Sequence, residues 1–173
     1  FLRRFVLDFP STAEKRGIMK GSDKIIAALN DLLADELTAI NQYIVHSEMC
    51  ANWGYEKLHQ ENEKRAVDEM KHAERLIARI LFLEGLPIVN NLKKISIGAT
   101  VEAQHANDCA SEADAVRAYN SAIRLAVECS DNGTRELLES ILKDEEAHLD
   151  LLEAKIDQIK QLGLPNYLTE QIG

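Results

Sequence analysis

The segment DEMKH at residues 68–72 returns 76 residues later as DEEAH at residues 144–148. The same offset relates two single glutamates, Glu36 and Glu112, and in each half the single glutamate precedes the glutamate of the later segment by 33 residues. Each segment contains Glu-x-x-His, whose Glu and His share one helix face because residues three apart are neighbours there. The repeat predicts one site built from two similar halves.

Two further Glu-x-x-His matches, Glu56 with His59 and Glu102 with His105, have no counterpart 76 residues away. Glutamate is abundant in this chain, and most single matches of so short a motif are solvated surface pairs. Glu56 also points almost opposite to the apolar stripe of its helix. The repeat therefore selects two of the four matches.

Apolar residues at helical spacing predict four long helices. Ser22 and Thr100 are the expected N-caps of the first and third helices. The chain holds only 8 Gly and 3 Pro, which favours helices over strands. The predicted apolar stripes lie within 22–51, 58–83, 100–127 and 138–159, with a non-helical connection at 86–99 and a short last helix at 167–172.

These features predict an all-α fold: a ferritin-like four-helix bundle with a long crossover between the second and third helices and a short C-terminal fifth helix. The chain of 173 residues is long enough for one such domain, which we place at residues 19–173. Residues 1–18 differ in character, and we expect an N-terminal extension of unknown role.

Six side chains are expected in the bundle interior because each lies on the apolar stripe of its helix. Four buried carboxylates would strongly oppose folding without cations nearby. An internal ion-pair network would need Lys or Arg on the same stripes, and we find none there. We therefore predict a di-iron carboxylate site with the ligands Glu36, Glu69, His72, Glu112, Glu145 and His148.

The ligand types indicate the metal. Hard carboxylates with one imidazole per ion favour iron or manganese, and the absence of thiolates argues against structural zinc. By symmetry, Glu69 and Glu145 are expected to bridge the two ions. The remaining ligands complete one ion each, Glu36 with His72 and Glu112 with His148.

For several other side chains the sequence allows more than one role. Tyr43, seven residues after the first single glutamate, is expected either to donate a hydrogen bond or an electron to the site or to fill the core. His105 lies on the face of Glu112, where it is either structural or part of an iron path. His46 and His59 are expected to face solvent or a subunit contact.

The composition bounds the partners and the compartment. A net charge of −9 disfavours nucleic acid, whose phosphates such a chain would repel, and suits a protein that handles cations. Three cysteines without Cys-x-x-Cys spacing indicate a reducing compartment, so we expect a cytoplasmic location. No apolar run approaches the length of about 20 residues that a membrane span needs, so we expect no membrane partner.

Four stretches of the chain resemble bacterioferritin: DELTAINQY at 35–43, DEMKHAE at 68–74, RILFLEGLP at 79–87 and DEEAH at 144–148. The resemblance extends from residue 19 to residue 173. It implies ferroxidase ligands at the same six positions, oxidation of Fe²⁺ by O₂ or H₂O₂, and iron storage and detoxification as a ferric mineral. It also implies a homo-oligomeric 24-mer shell built from two-fold dimers, and a ferredoxin as the partner in iron release.

The resemblance further implies a b-type haem shared between two subunits, with Met70 and its two-fold mate as axial ligands. Met70 is rotated by about 100° from Glu69 and joins an outer apolar stripe with Val67, Ile77 and Leu81. Exposed apolar stripes of this kind mark subunit contacts. From the residues alone, such a methionine is packing. The matching pocket neighbours are Leu37, Asn41, Ile44 and Lys71.

One position departs from the family pattern. Many members carry a histidine five residues before the glutamate of the first Glu-x-x-His, as part of an iron site on the inner surface. This chain has Lys64 there and keeps Asp68. Lys64 therefore puts in doubt the route by which electrons would return from the mineral to the di-iron site. It puts the mineralisation pathway in doubt with it.

Two other functions fit the same bundle. One is a di-iron oxygenase or a manganese catalase, which would need a substrate pocket and usually extra domains or ligands. The other is a non-catalytic structural or haem-binding helical oligomer.

Overall fold

Five helices account for most of residues 20–173, the part of the chain that the computed structural model describes. They are α1 (Asp23–Trp53), α2 (Glu56–Phe82), α3 (Val101–Glu128), α4 (Asn132–Leu162) and α5 (Leu164–Thr169). Within residues 20–173 there is no strand, and the predicted all-α bundle with a long crossover and a short fifth helix is confirmed. The predicted extension at residues 1–18 lies outside the described residues. Across residues 20–173, every helix falls short of the length or the apolarity that crossing a membrane requires.

The bundle is made of two helical pairs. α1 packs chiefly against α2, and α3 against α4. The α1–α2 turn is tight because Gly54 adopts φ 82, a left-handed conformation that costs glycine little. Its N–H and that of Tyr55 donate to the carbonyls of Ala51 and Cys50, which closes α1.

Side chains begin α3 and α4 as N-caps. Thr100 Oγ1 accepts the N–H of Ala103 at 3.2 Å, as predicted, and Asp131 accepts the N–H of Thr134 at 3.0 Å. Ser22 precedes α1 without a side-chain cap hydrogen bond. The last helix begins at Leu164, earlier than the predicted residue 167, because a proline is tolerated in the first turn of a helix.

The crossover between α2 and α3 is held by a row of side chains on α1. Each accepts a backbone N–H from the crossover, which satisfies donors that have no helical partner. The pairs are Asn30 with Ile88 at 2.7 Å, Thr38 with Lys93 at 2.8 Å, Gln42 with Ser96 at 2.9 Å, and His46 with Gly98 at 3.0 Å.

Gly98 also lies against the first turn of α3. A Cβ atom at this position would stand 2.2 Å from the backbone nitrogen of Gln104, so a side chain does not fit. The glycine therefore allows the crossover to reach the bundle beside the polar interior.

The larger apolar cluster fills one end of the four long helices, and a smaller one around Cys50, Leu58 and Tyr167 fills the other end. The fully buried members of the larger cluster are contributed by all four long helices at helical spacing. They include Leu29, Leu33, Leu76, Ile80, Ala126, Leu138 and Ile141. This packing fixes the helix faces that carry the polar residues described next.

Candidate metal centre

The six predicted ligands lie together in the bundle interior. Five are buried, and His148 is half-buried with 12% of its side chain exposed. α1 and α3 each contribute one glutamate, and α2 and α4 each contribute a glutamate and a histidine one turn apart. They are Glu36 on α1, Glu69 and His72 on α2, Glu112 on α3, and Glu145 and His148 on α4.

Two overlapping groups of these residues have the geometry of metal sites. In each group, one potential ligand atom per residue lies within 4.8 Å of the others. The pair that both groups share, Glu69 and Glu145, is the pair expected to bridge. The groups are Glu36, Glu69, His72 and Glu145, and Glu69, Glu112, Glu145 and His148.

Both histidines present Nδ1 to the carboxylates. His72 Nδ1 lies 2.8 Å from Glu145 Oε1 and 3.0 Å from Glu69 Oε2. His148 Nδ1 lies 3.2 Å from Glu69 Oε1. The other nitrogen of His72 faces Asp144 Oδ2 at 3.3 Å, a contact that orients the ring.

Three atoms at the centre are buried without a hydrogen-bond partner among residues 20–173: Glu69 Oε1, Glu145 Oε1 and His148 Nδ1. His148 Nδ1 lies 3.2 Å from Glu69 Oε1, yet neither atom forms a hydrogen bond with any of the described residues. Buried polar atoms almost always have a partner, and each exception needs a physical reason. These three carboxylate and imidazole atoms converge without hydrogen bonds of their own. Such an arrangement fits ligands for a pair of divalent cations.

The protein's own groups balance charge at this centre. Burial raises the pKa of Glu36 well above its ordinary value, and it raises that of Glu112. Burial opposes protonation of His72 and His148, but the carboxylates around them outweigh it and raise the pKa to about 12 and about 11. At neutral pH, protons on the histidines therefore compete with metal ions for the same nitrogens.

The remaining two carboxyls have lowered pKa values. Burial favours their protonation, but the adjoining rings of His148 and His72 outweigh it and lower the pKa of Glu69 and Glu145. The two residues shared by both groups are therefore held as carboxylates.

Two buried tyrosines bind the single glutamates crosswise. Tyr43 on α1 donates to Glu112 Oε1, and Tyr119 on α3 donates to Glu36 Oε1. Burial raises the pKa of both phenols well above the ordinary value, so both remain donors. Tyr43 thus contacts the centre directly, in agreement with the prediction that it donates a hydrogen bond to the site.

One prediction about the interior is wrong. Arg65 lies one turn before Glu69 on the same stripe of α2 and is buried, although we expected no basic residue there. Its Nη1 lies 3.1 Å from Glu112 Oε1, and its guanidinium carbon lies 5.7 Å from the centre of the Tyr43 ring. Burial lowers the pKa of Arg65, but the neighbouring Tyr43 and Glu112 more than offset that effect.

The other histidines have structural contacts. His46, expected at the surface, is fully buried: Nδ1 lies 3.0 Å from Asp108, and Nε2 accepts from the crossover. Its partners explain why a polar ring fits there. His59 is half-buried beside Ser47 at 2.8 Å. His105 Nε2 contacts the Tyr167 hydroxyl on α5 at 2.9 Å, and burial lowers its pKa to about 3, so the structural reading is favoured.

A cavity of about 250 Å³ leads from the centre towards the surface between α1, α3 and the crossover. Glu36, Glu69, Glu112 and Glu145 line its inner part, and Asp35, Lys93, Lys94 and Asp114 line the outer part. The Nζ of Lys93 lies 2.7 Å from Asp35 and 3.1 Å from Asp31. An ion pair therefore stands at the mouth of an acidic passage.

The opposite side of the centre opens beside His72 and His148. There the Nζ atoms of Lys64 and Lys71 lie 2.7 Å and 2.8 Å from Asp68. Hydrogen bonds from both lysines outweigh partial burial and lower the pKa of Asp68 to about 2. Asp68 is thus already paired with two cations on the surface where Lys64 departs from the family pattern.

Met70 points away from the centre. It is 46% exposed on an apolar groove between α1 and α2 that Ile40, Ile44, Ala66 and Val67 also line. Of the outer stripe, Val67 and Leu81 are exposed as expected, whereas Ile77 packs partly against the core.

Comparison with known proteins shows the family to which the chain belongs. Residues 26–162 match the family model of the ferritin-like domain. Over 149 residues the chain is 40% identical to a bacterioferritin from Mycolicibacterium paratuberculosis, an alignment that covers 86% of this chain and 94% of that protein. The chain belongs to the bacterioferritin family. The family predicted from the four sequence stretches is thus confirmed.

Relatives in other bacteria agree. A bacterioferritin of Rhodobacter capsulatus is 40% identical over 145 residues, which is 84% of this chain and 90% of that protein. One of Brucella melitensis is 36% identical over 149 residues, which is 86% of this chain and 92% of that protein.

Sequence reasoning missed Arg65 and the buried pair of His46 with Asp108. The signal for Arg65 was present, since it precedes Glu69 by one helical turn. The burial of His46 depends on the crossover passing over it, which helical spacing does not predict.

Proposed function

We propose that this chain stores and detoxifies iron by oxidising Fe²⁺ to Fe³⁺ at the six-residue centre and depositing the product as a ferric mineral. The observation that supports this most directly is the pair of four-residue groups that share Glu69 and Glu145. Oxidation of two Fe²⁺ ions releases two electrons. With two protons they reduce one O₂ to H₂O₂, or one H₂O₂ to two water molecules.

In this proposal the protein binds and orients its substrate ions. Glu36 and Glu112 are terminal ligands whose second oxygens are fixed by Tyr119 and Tyr43. His72 and His148 give up their protons when Fe²⁺ binds. The buried surroundings limit water at the centre, which strengthens carboxylate binding to cations.

The acidic passage is the route that we assign to entering Fe²⁺. Carboxylates attract the cation, while Lys93 at the mouth is held by Asp31 and Asp35. An arriving Fe²⁺ ion competes with the lysine for the same carboxylates.

Haem binding is the second part of the proposal. Met70 and its two-fold mate would hold the haem through their thioethers, and the exposed apolar groove beside Met70 suits a flat apolar ring. The neighbours Asn41, Ile44 and Lys71 are exposed beside it, and Leu37 is half-buried. A bound haem would carry electrons for reductive release of stored iron, with a ferredoxin as their source.

Haem binding is tested by the absorption spectrum of haem-loaded protein. A bis-methionine spectrum in the parent chain should be lost in Met70→Ala and kept in the control Leu81→Ala, on the same stripe. If the spectrum survives in Met70→Ala, the methionine serves only in packing.

Storage requires an assembly and a compartment. We assign the chain to a homo-oligomeric shell, a 24-mer of two-fold dimers, in the cytoplasm. The three cysteines are free thiols, which suits a reducing compartment.

Iron loading with mass measurement of the assembly tests storage. We expect iron uptake far beyond two ions per chain, retained in a particle much larger than a monomer. Uptake that stops at two ions would instead favour an oxygenase or a non-catalytic oligomer. Disproportionation of H₂O₂ by manganese-loaded protein would indicate a catalase.

A further inference from the structure

The two single glutamates of the centre have closely matched contacts except at one buried position. Glu36 and Glu112 each accept one tyrosine hydroxyl through Oε1 and turn Oε2 towards a histidine. The Oε2–Nδ1 distances are 3.8 Å to His72 and 3.7 Å to His148. Glu36 and Glu112 are therefore alike in these contacts.

Arg65 breaks this likeness. The offset of 76 residues that relates the halves carries Arg65 onto Ile141, a fully buried apolar residue on α4. Glu112 Oε1 thus accepts from a guanidinium at 3.1 Å in addition to a phenol, while among residues 20–173 Glu36 Oε1 accepts from the phenol alone. Within the described part of the chain, Arg65 gives the Glu112 half a fixed positive charge that has no counterpart beside Glu36.

We infer that the centre binds its two divalent cations unequally: the Glu36/His72 half binds first and tightly, and the Glu112/His148 half binds later and more weakly. Arg65 is the positioning residue that creates the difference. The inference deepens the proposed function and rests on the same six ligands.

The physical reason has two parts. A guanidinium remains charged at any pH at which the protein is folded, so it repels a cation held by the same carboxylate. It also engages one oxygen of Glu112 and withdraws electron density that a metal ion would otherwise receive. Both effects are strong where burial lowers the effective dielectric constant.

The inequality also has a functional meaning. An ion that is weakly bound after oxidation can leave towards the mineral. If both halves held their ions tightly, the two ions would stay in place as a permanent cofactor. The surface beside His148 is the more open one, since this histidine is the most exposed of the six ligands.

The test is an anaerobic titration of the metal-free full chain with Co²⁺, followed by visible absorption and by calorimetry. We expect two binding steps whose affinities differ by about tenfold or more, a conservative figure for a buried unit charge beside a dication. His148→Ala should remove the weaker step, and His72→Ala the tighter one.

Substitution of Arg65 identifies the cause. In Arg65→Met the weaker step should tighten by about tenfold, so that the two steps approach one another. Arg65→Lys keeps the charge and should keep the separation. If Arg65→Met does not fold, the parent chain and the two histidine variants still decide the order of binding.

The outcomes separate the inference from the proposed function. Two equal steps, loss of the tighter step in His148→Ala, or an unchanged separation in Arg65→Met would overturn the inference and leave the di-metal centre standing. Binding of fewer than two Co²⁺ ions per chain, or binding indifferent to both histidine variants, would overturn the proposed centre itself.

Discussion

His72 and His148 stand among four carboxylates at positions where a proton and a metal ion compete for the same nitrogen. The carboxylates raise the pKa of the two rings to about 12 and about 11, against the opposing effect of burial. In the proposed metal centre, each ring serves as a counterion when it is protonated and as a ligand when it is neutral. Metal binding and proton release are linked through these two residues.

This linkage predicts how metal affinity depends on pH. Because the pKa values are raised, the rings are protonated at neutral pH, and a higher pH makes their loss of a proton easier. Co²⁺ affinity should therefore rise steadily from about pH 6 to about pH 8, and binding at neutral pH should release protons. A coloured pH indicator in weakly buffered solution measures the release; an affinity independent of pH, with no protons released, would contradict the assignment.

The stability of metal-free protein should follow the opposite trend. A raised pKa stabilises the fold fully below the unfolded value of 6.5, and this contribution declines as the pH rises towards the folded values of about 11 and about 12. Added metal should remove this decline, because it replaces the protons as counterion.

The sequence was sufficient to predict all six positions that meet at the centre, because the repeat carries the helix periodicity with it. The repeat did not reveal Arg65, because the residue 76 positions later is the apolar Ile141. The comparison of the two halves therefore gave no sign of a charged residue at this place. His46 was also misjudged, because its burial depends on tertiary contacts with Asp108 and Gly98.

Among the elements, α1 does more than contribute one ligand. Its polar side chains at positions 30, 38, 42 and 46 hold successive N–H groups of the crossover. The crossover carries Lys93 and Lys94 to the mouth of the acidic passage. The hydrogen bonds that fix the crossover therefore also fix the position of these lysines at the entrance to the centre.

Gln42→Leu tests this role of α1. The change removes the acceptor for the Ser96 N–H at 2.9 Å and leaves Asp108 without the amide that donates to it at 2.8 Å. We expect a loss of about 1 to 3 kcal/mol in the free energy of unfolding and faster hydrogen exchange at the Ser96 amide. Exchange mass spectrometry of residues 88–98 measures the effect.

Ala27→Gln on the exposed side of α1 is the matched control and should leave exchange in the crossover unchanged. Equal protection of the Ser96 amide in Gln42→Leu and in the parent chain would contradict the proposed anchoring.

The helices were predictable to within a few residues because glycine, proline and capping residues mark their ends. Thr100 caps α3 as the sequence predicted, whereas α5 begins before the predicted residue 167, with Pro165 in its first turn. The course of the crossover was not predictable, since it follows side chains on a distant part of the chain.

At the scale of the whole molecule, the crossover exposes a band of large apolar side chains. Leu86 is 79% exposed and Val89 58%, and Ile88, Leu92, Ile95 and Ile97 are exposed beside them. Bands of this size mark surfaces that associate. We expect this surface to form one of the contacts between subunits of the proposed shell.

Val89→Asp should therefore weaken assembly. A charge in an apolar interface opposes association by several kcal/mol, so we expect smaller particles in mass photometry with unchanged helical circular dichroism. Ser121→Asp, which adds the same charge at an exposed polar position, is the control. An unchanged particle size in Val89→Asp would place the interface elsewhere.

The central claim is that one buried six-residue centre oxidises Fe²⁺, and stopped-flow oxidation of added Fe²⁺ measures it most directly. The account predicts a rapid initial phase that is lost in Glu69→Ala and His148→Ala. The phase should survive in Glu102→Ala, which changes an exposed Glu-x-x-His glutamate outside the centre. Parent rates in both centre variants would contradict the account.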